Sequence, residues 1–188
     1  EDGPIYPGTC RQGAVGSRPE RALRLRVPDE LISCQDLIFG ELQQNLQCEV
    51  GDFVLQRADG LFAYQLAVVV DDIDSGVNQV VRGADLLSST PRQAYLYQCL
   101  QQPVPVYYHL PLVLGEDRQK LSKRHGAAAI ITAENSKHAL WSALYFLGQA
   151  PPGELARADV SEQLIWAREH FSTASVAPEP QRVPEFFL

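Results

Sequence analysis

The chain has 188 residues, 45% of them hydrophobic, and carries a formal net charge of −7. That length and apolar content provide a real core and exclude disorder, and the acidic balance excludes a protein that coats nucleic acid through overall positive charge. The apolar runs Leu66 to Val70 and Ala127 to Ile131 are strand- or helix-sized and far short of a membrane span, so a soluble chain with no membrane partner is expected.

The chain opens at Glu1 and contains no methionine. Its first residues resemble neither a signal peptide nor a helix start, and it reads as the back part of a longer protein. Glu1 to Pro19, rich in Gly, Pro and Arg, is expected to be irregular. From Ala22 the pattern turns to strand: Leu23 and Leu25 alternate with arginines before Pro28, and Ile32 to Cys34 and Phe53 to Leu55 are further short strands. Asp59-Gly60 signals a turn. Leu61 to Asp72 is apolar all round, which leaves helix and strand undecided but predicts burial either way.

Val77 to Val81 reads as a strand. Thr90-Pro91-Arg92-Gln93 then reads as a capping box with proline at the first helical position, and Leu96 and Leu100 continue a buried stripe. Tyr107 to Leu114 is a strand leading into a lysine-rich loop. Asn135 is placed to cap a helix in which Leu140, Leu144 and Leu147 recur at helical spacing, stopped by Gly148 and Pro151-Pro152. Glu154 to Phe171 forms a last amphipathic helix, and the Pro-rich tail from Ala174 is expected to be loose. Strand, helix and strand alternate through the middle, which predicts an α/β sheet of Rossmann type. No internal repeat is present.

Arg11, Arg18, Arg21, Arg24 and Arg26 fall in one stretch opposed only by Glu20. They form either a basic patch on an acidic body or a solvated loop surface. Cys10, Cys34, Cys48 and Cys99 lack C-x-x-C spacing, which favours reduced thiols in a cytoplasmic protein, most of them small core residues with Cys10 set apart.

The residues Gln119-Lys120-Leu121-Ser122-Lys123-Arg124 carry the strongest chemical signal. Two ammonium groups and a hydroxyl on a short loop at a strand end suit the pyrophosphate that leaves when a carboxylate attacks ATP. Gly115 and Gly126 give the loop freedom to move; the alternative is a solvated basic turn. Arg82, before Gly83, suits bidentate capture of a carboxylate, or else an ion pair with Asp85 or Asp72. Tyr64 is a pocket residue or a core tyrosine. Asp71-Asp72 reads as structural or helix-capping. His109, His125, His138 and His170 share no metal or triad spacing and are given no catalytic role.

These segments together resemble the second half of the catalytic domain of glutamate-specific class I aminoacyl-tRNA synthetases. The resemblance runs from about Tyr6 to Gly126 and is strongest from Gly51 to Arg124, with K-L-S-K-R standing for the K-M-S-K-S signature. It implies that Lys120, Leu121, Ser122, Lys123 and Arg124 bind ATP, entering with Mg2+, that Lys123 is catalytic, and that Tyr64 and Arg82 bind glutamate. The segment Tyr6-Pro7-Gly8-Thr9-Cys10 is similar to the Y-x-x-x-C half of a zinc site in the glutamyl-queuosine tRNA(Asp) synthetases. That likeness makes Tyr6 and Cys10 metal ligands, with a C-x-C pair expected before Glu1; thiolate is an ordinary zinc ligand and phenolate an unusual one.

Val68 and Arg82-Gly83-Ala84-Asp85 look like the queuosine-modifying family, where the discriminating synthetases usually have asparagine and R-A-E-E. The chain also ends about sixty residues after the loop, too few for helical anticodon-binding domains. The resemblance implies a monomer whose substrates are ATP, L-glutamate and tRNA(Asp) carrying queuosine. It divides the chain into a zinc-insertion remnant at 1–20, the second catalytic half at 21–132 and a helical region at 133–188. The H-x-G-H motif that faces the lysine loop in class I synthetases is missing and is expected before Glu1, so these residues alone are expected to be inactive. The alternatives are a fragment of an ordinary glutamyl-tRNA synthetase and a non-catalytic RNA-binding paralogue.

Overall fold

A computed structural model describes residues 5–13, 22–115, 118, 120 and 136–182. The chain divides into two compact units, one of Glu1–Val81 with Leu86–Tyr108 and the other of Arg82–Asp85 with His109–Leu188.

The first unit is α/β. Strand β1 (Leu23–Leu25) pairs antiparallel with β4 (Phe53–Gln56). Strand β2 (Leu31–Asp36) forms a hairpin with β3 (Gly40–Asn45) and pairs in parallel with β6 (Val106–Leu110) through Asp36 and Tyr107. With β5 (Gln79–Gly83) these make a mixed four-stranded sheet in the order β3, β2, β6, β5. The alternation of β2 is complete: Ile32, Cys34 and Asp36 are buried while Leu31, Ser33 and Gln35 face out. At its inward end the buried Asp36 carboxylate accepts the N–H groups of Ile38 and Phe39 at 2.9 and 2.7 Å, which closes the hairpin turn.

Ile32 and Cys34 pack with Val27, Leu46, Phe53, Val69, Ala94, Leu96 and Tyr97 into one core. Each buried aliphatic side chain there stabilises the unit by about 1.5–3 kcal/mol. The helices that cover it are α1 (Leu46–Glu49), α2 (Tyr64–Asp74) and α3 (Thr90–Cys99).

Four expectations are corrected here. Leu61 to Asp72 is not wholly buried: from Tyr64 it folds into α2 with Val69 inside, while Leu61 and Phe62 ahead of the helix and Tyr64 and Val70 within it are exposed. The helix that carries Pro91 begins one residue earlier than expected. Ser89 is the N-cap, after a 3-10 turn over Ala84–Ser89, and the Thr90 hydroxyl bonds back to the Leu86 carbonyl. Leu96 is buried as expected, but Leu100 follows the helix end and is exposed. Of the cysteines only Cys34 is in the core; Cys10, Cys48 and Cys99 are exposed, and all four are free thiols.

In the second unit β7 (Val113–Leu114) pairs in parallel with β8 (Gln181–Arg182), so the Pro-rich tail is anchored at this point and is not loose throughout. Helix α4 (Ser136–Phe146) ends as its leucine spacing predicts, at Gly148 with φ +72°, where Gln149 N–H reaches the Leu144 carbonyl. Its proposed cap, Asn135, lies outside the described residues. The single helix expected over Glu154 to Phe171 is two pieces, a 3-10 turn at Gly153–Arg157 and α5 (Val160–His170). The fully buried Gln163 amide joins them to α4, donating to the carbonyls of Lys137 at 3.0 Å and Ala158 at 3.1 Å. Among the described residues no helix is long and apolar enough to cross a membrane.

Candidate active site

Arg82 and Gly83 end β5, and His109 and Leu110 end β6; all four belong to the second unit. Arg82 is half-buried, and its Nε donates to Nε2 of the fully buried His109 at 2.9 Å. An imidazole nitrogen that faces an N–H donor must present its lone pair, so His109 is neutral with its proton on Nδ1. Two residues on, Asp85 folds back over Gly83: a Cβ at position 83 would meet its Oδ1 at 2.5 Å. A side chain at position 83 would displace the Asp85 carboxylate from this place.

Asp85 forms an ion pair with Lys120, whose backbone also bridges Leu114 in antiparallel fashion. The hydrogen bond from Lys120 holds the Asp85 carboxyl below the usual carboxylate range, assisted by the charges of Lys120 and Arg82. Lys120, expected to contact phosphate, is thus tied at the base of its loop to a carboxylate on the segment that carries Arg82. Leu121, Ser122, Lys123 and Arg124 lie outside the described residues.

Tyr64 is the first residue of α2 in the first unit, and its side chain is exposed, which removes the core-tyrosine alternative. Val68 lies one turn further and is half-buried. Asp71 and Asp72 sit in the last turns of α2, where their carbonyls receive the N–H groups of Ser75 and Val77.

The Tyr6 to Cys10 segment is braced from below. The Tyr6 hydroxyl accepts the Cys10 backbone N–H at 2.7 Å, and a hydrogen bond with the Cys10 side chain raises the phenol pKa. Tyr6 bridges Gly51 through the backbone, and the Arg24 guanidinium lies 4.2 Å above its ring. Arg24 also donates to the Asp52 carbonyl at 2.7 Å, and Arg26 to the Arg11 carbonyl. Arg11 grips the buried Asp52 carboxylate through Nε and Nη2. Arg11, Arg24 and Arg26 therefore brace the fold, while Arg18 and Arg21 lie outside the described residues. No group of three or more His, Cys, Asp or Glu side chains able to hold a metal forms among the described residues. Tyr6 and Cys10 bring two donors together, which fits half of a tetrahedral zinc set.

Sequence reasoning gave His109 no catalytic role and did not place it beside Arg82. The signal was available in Val106-Tyr107-Tyr108-His109-Leu110, where period two puts Tyr107 and His109 on the same buried face.

Residues 12–167 match the family described as tRNA synthetases class I (E and Q), catalytic domain. The chain is 52% identical over 177 residues to the Glutamyl-Q tRNA(Asp) synthetase of Thiobacillus denitrificans, covering 94% of this chain and 58% of that protein. It is 49% identical over 180 residues to the protein of the same name from Geobacter sulfurreducens, covering 93% and 57%. It thus spans rather more than half the length of the curated relatives it matches. A crystal structure of a glutamate tRNA ligase from Elizabethkingia meningosepticum, in complex with its amino acid, superposes with a TM-score of 0.69 at 23% identity, over 88% of this chain and 36% of that one. That likeness is one of fold.

Proposed function

Because the chain belongs to the class I glutamyl- and glutaminyl-tRNA synthetase catalytic domains, we propose that the protein activates L-glutamate with ATP and passes the glutamyl group to the queuosine base of tRNA(Asp). The observation that carries this reading is the similarity to proteins named for glutamyl-Q tRNA(Asp), sustained over more than nine-tenths of the chain. Val68 and the Arg82-Gly83-Ala84-Asp85 text support it from the residues.

In this reading Arg82 holds a carboxylate of glutamate and Tyr64 contributes its hydroxyl to the same ligand. The α-carboxylate is itself the nucleophile, so no protein base is needed. Its oxygen bonds to the α-phosphorus of ATP as the bond to pyrophosphate breaks. Lys123 and Ser122 offset the charge that develops on the leaving group, with Leu121 and Arg124 completing the loop around the nucleotide and Lys120 at its base. Mg2+ enters as the counter-ion of the substrate ATP. In the second step a nucleophile of the queuosine base takes the acyl carbon and AMP leaves.

Tyr6 and Cys10 would supply two ligands to a zinc ion, which when bound contributes a structural cross-link. On this reading residues 1–20 belong to a zinc-binding insertion, 21–132 to the catalytic domain and 133–188 to a helical region, in a cytoplasmic monomer.

The test uses the full-length protein, radiolabelled glutamate and purified tRNAs. Label should reach tRNA(Asp) only when that tRNA carries queuosine. Charging of tRNA(Glu) would replace this reading with an ordinary glutamyl-tRNA synthetase.

A further inference from the structure

We infer that Gln65 is a positioning residue for Tyr64, fixing the direction in which the first turn of α2 presents that side chain. The inference rests on the reading of Tyr64 as a glutamate contact. Tyr64 and Gln65 are the first two residues of α2, and their N-cap is Ala63, whose side chain has no acceptor for the N–H groups of the turn. The Ala63 N–H donates to the Leu55 carbonyl of β4 at 2.8 Å, which holds the start of the helix to the strand and leaves it able to roll about that point. Apolar packing selects the roll only weakly, because α2 is apolar around its axis and Val69 is its one fully buried residue.

Gln65 supplies the second point of attachment. Its Oε1 accepts from Nε2 of the buried Gln93 at 2.9 Å, and its own Nε2 donates to Oγ of the buried Ser89 at 3.0 Å. Ser89 is the N-cap of α3, yet its backbone is already helical (φ −80°, ψ −21°) and among the described residues its hydroxyl makes no cap to its own helix. The oxygen that would ordinarily close α3 is the one that receives Gln65. Both bonds run to a helix seated in the core through Ala94, Leu96 and Tyr97, so the amide is held against a fixed reference. With its carbonyl and its amino group both held, the roll of the first turn is set, and with it the place of the exposed Tyr64 one residue before.

The test measures glutamate-dependent ATP–pyrophosphate exchange with the full-length protein and its Gln65→Met, Gln65→Glu, Ser89→Ala and Tyr64→Phe variants. Methionine matches glutamine in length and helix propensity but can make neither bond. Gln65→Met should therefore raise the KM for glutamate about three- to tenfold with kcat changed by less than about twofold, the split expected when a ground-state contact worth one neutral hydrogen bond is misaimed. Gln65→Glu should stay within about twofold of the parent, since a carboxylate accepts from Gln93 and from the Ser89 hydroxyl and suits a helix N-terminus. In the Tyr64→Phe background Gln65→Met should add nothing, because it acts through a hydroxyl that is already absent.

A raised KM in Tyr64→Phe beside the parent KM in Gln65→Met would overturn the positioning role and leave the glutamate contact standing. An unchanged KM in Tyr64→Phe would overturn both. A further rise from Gln65→Met in the Tyr64→Phe background, or a Gln65→Glu variant as impaired as Gln65→Met, would overturn the positioning role alone. Should Gln65→Met fail to fold, Ser89→Ala takes its place in each comparison: it removes the acceptor of the Gln65 amide, and the same results support or overturn the inference.

Discussion

Arg11 and Asp52, forty-one residues apart, form a two-point ion pair in which Nε meets Oδ2 at 2.7 Å and Nη2 meets Oδ1 at 2.6 Å. The Asp52 carboxylate is 3% exposed and also accepts the Val27 N–H at 3.1 Å. Its partner Arg11 follows Cys10 directly, so this pair ties the candidate zinc-ligand segment to the start of β4.

The hydrogen bond from Arg11 holds the Asp52 carboxyl below the usual carboxylate range, helped by the Val27 N–H and opposed by burial. A group whose folded pKa is depressed lends stability that is full above its unfolded pKa and fades as pH falls through the folded one. Asp52→Ala should therefore cost about 2–3 kcal/mol at pH 7, by leaving a charged donor and a backbone N–H without their acceptor, or about 5–10 °C in Tm for a chain of this size. The Tm gap between parent and variant should hold constant above about pH 4 and narrow as pH falls below it through the lowered folded pKa. A gap that does not narrow anywhere between about pH 4 and the acid unfolding of the parent would show that the carboxylate charge is not what Arg11 binds.

Gly51 offers a second probe of the same junction. It sits at φ +73°, and a Cβ there would stand 2.8 Å from the Tyr6 carbonyl oxygen and 2.9 Å from the Tyr6 nitrogen. Because both clashes are with backbone, Gly51→Ala should displace the bridge to Tyr6 as well as strain the turn, for about 1–3 kcal/mol in all. Urea unfolding measures the loss, and a variant as stable as the parent would mean that Tyr6 does not rest on this residue.

Much of this architecture is visible in the sequence where one face of an element is buried and the other is not. Ile32 and Cys34 flanking Ser33 is such a case, although the strand extends to an exposed Leu31 and a buried Asp36 that run against the pattern, and so is the spacing of Leu144 and Leu147 ahead of Gly148. The segment Leu61 to Asp72 is ambiguous for a physical reason: the apolar residues of α2 surround its axis, and exposure of Leu61 and Phe62 ahead of the helix and of Tyr64 and Val70 within it breaks the link between hydrophobicity and burial on which periodicity depends. The two-residue ladder of β8 is too short to leave a periodic trace.

The site divides in the same way. The loop Lys120 to Arg124 stands out in the sequence by its paired lysines, and Tyr64 and Arg82 stand out as candidates through the family resemblance. The long-range partners of Arg11, Arg82 and Lys120 do not stand out. Asp52 for Arg11, His109 for Arg82 and Asp85 for Lys120 are 41, 27 and 35 residues away, and nothing local marks them.

The two lysines of the loop should separate in function. Lys120 is paired with Asp85, and any contact it makes with phosphate must compete with that carboxylate. Lys120→Ala should therefore slow glutamate-dependent pyrophosphate exchange by less than about tenfold, while Lys123→Ala slows it by about ten- to a thousandfold, the range for losing one preorganised charge at a leaving group. Asp85→Asn should leave Lys123 as the dominant residue. Equal losses for the two lysine variants in single-turnover adenylate formation would put Lys120 on the phosphates and Asp85 out of the account.

Arg82→Lys and Tyr64→Phe test the proposed amino-acid contacts. Lysine keeps the charge of Arg82 but offers one compact ammonium, which cannot both donate to His109 Nε2 and hold a carboxylate with a planar fork. The variant should fold normally and raise the KM for glutamate by about ten- to a hundredfold, as expected when a charge-assisted pair is reduced to a single contact. Tyr64→Phe removes only a hydroxyl from an exposed side chain, so it should cost little stability, and the glutamate requirement should rise about tenfold if that hydroxyl reaches the substrate. Kinetics alone would not separate a lost contact from a shifted strand, so the deciding measurement is a crystal structure of the full-length protein with glutamate bound. Density for a substrate carboxylate against the Arg82 guanidinium supports the assignment, and glutamate bound away from both residues removes them from the pocket.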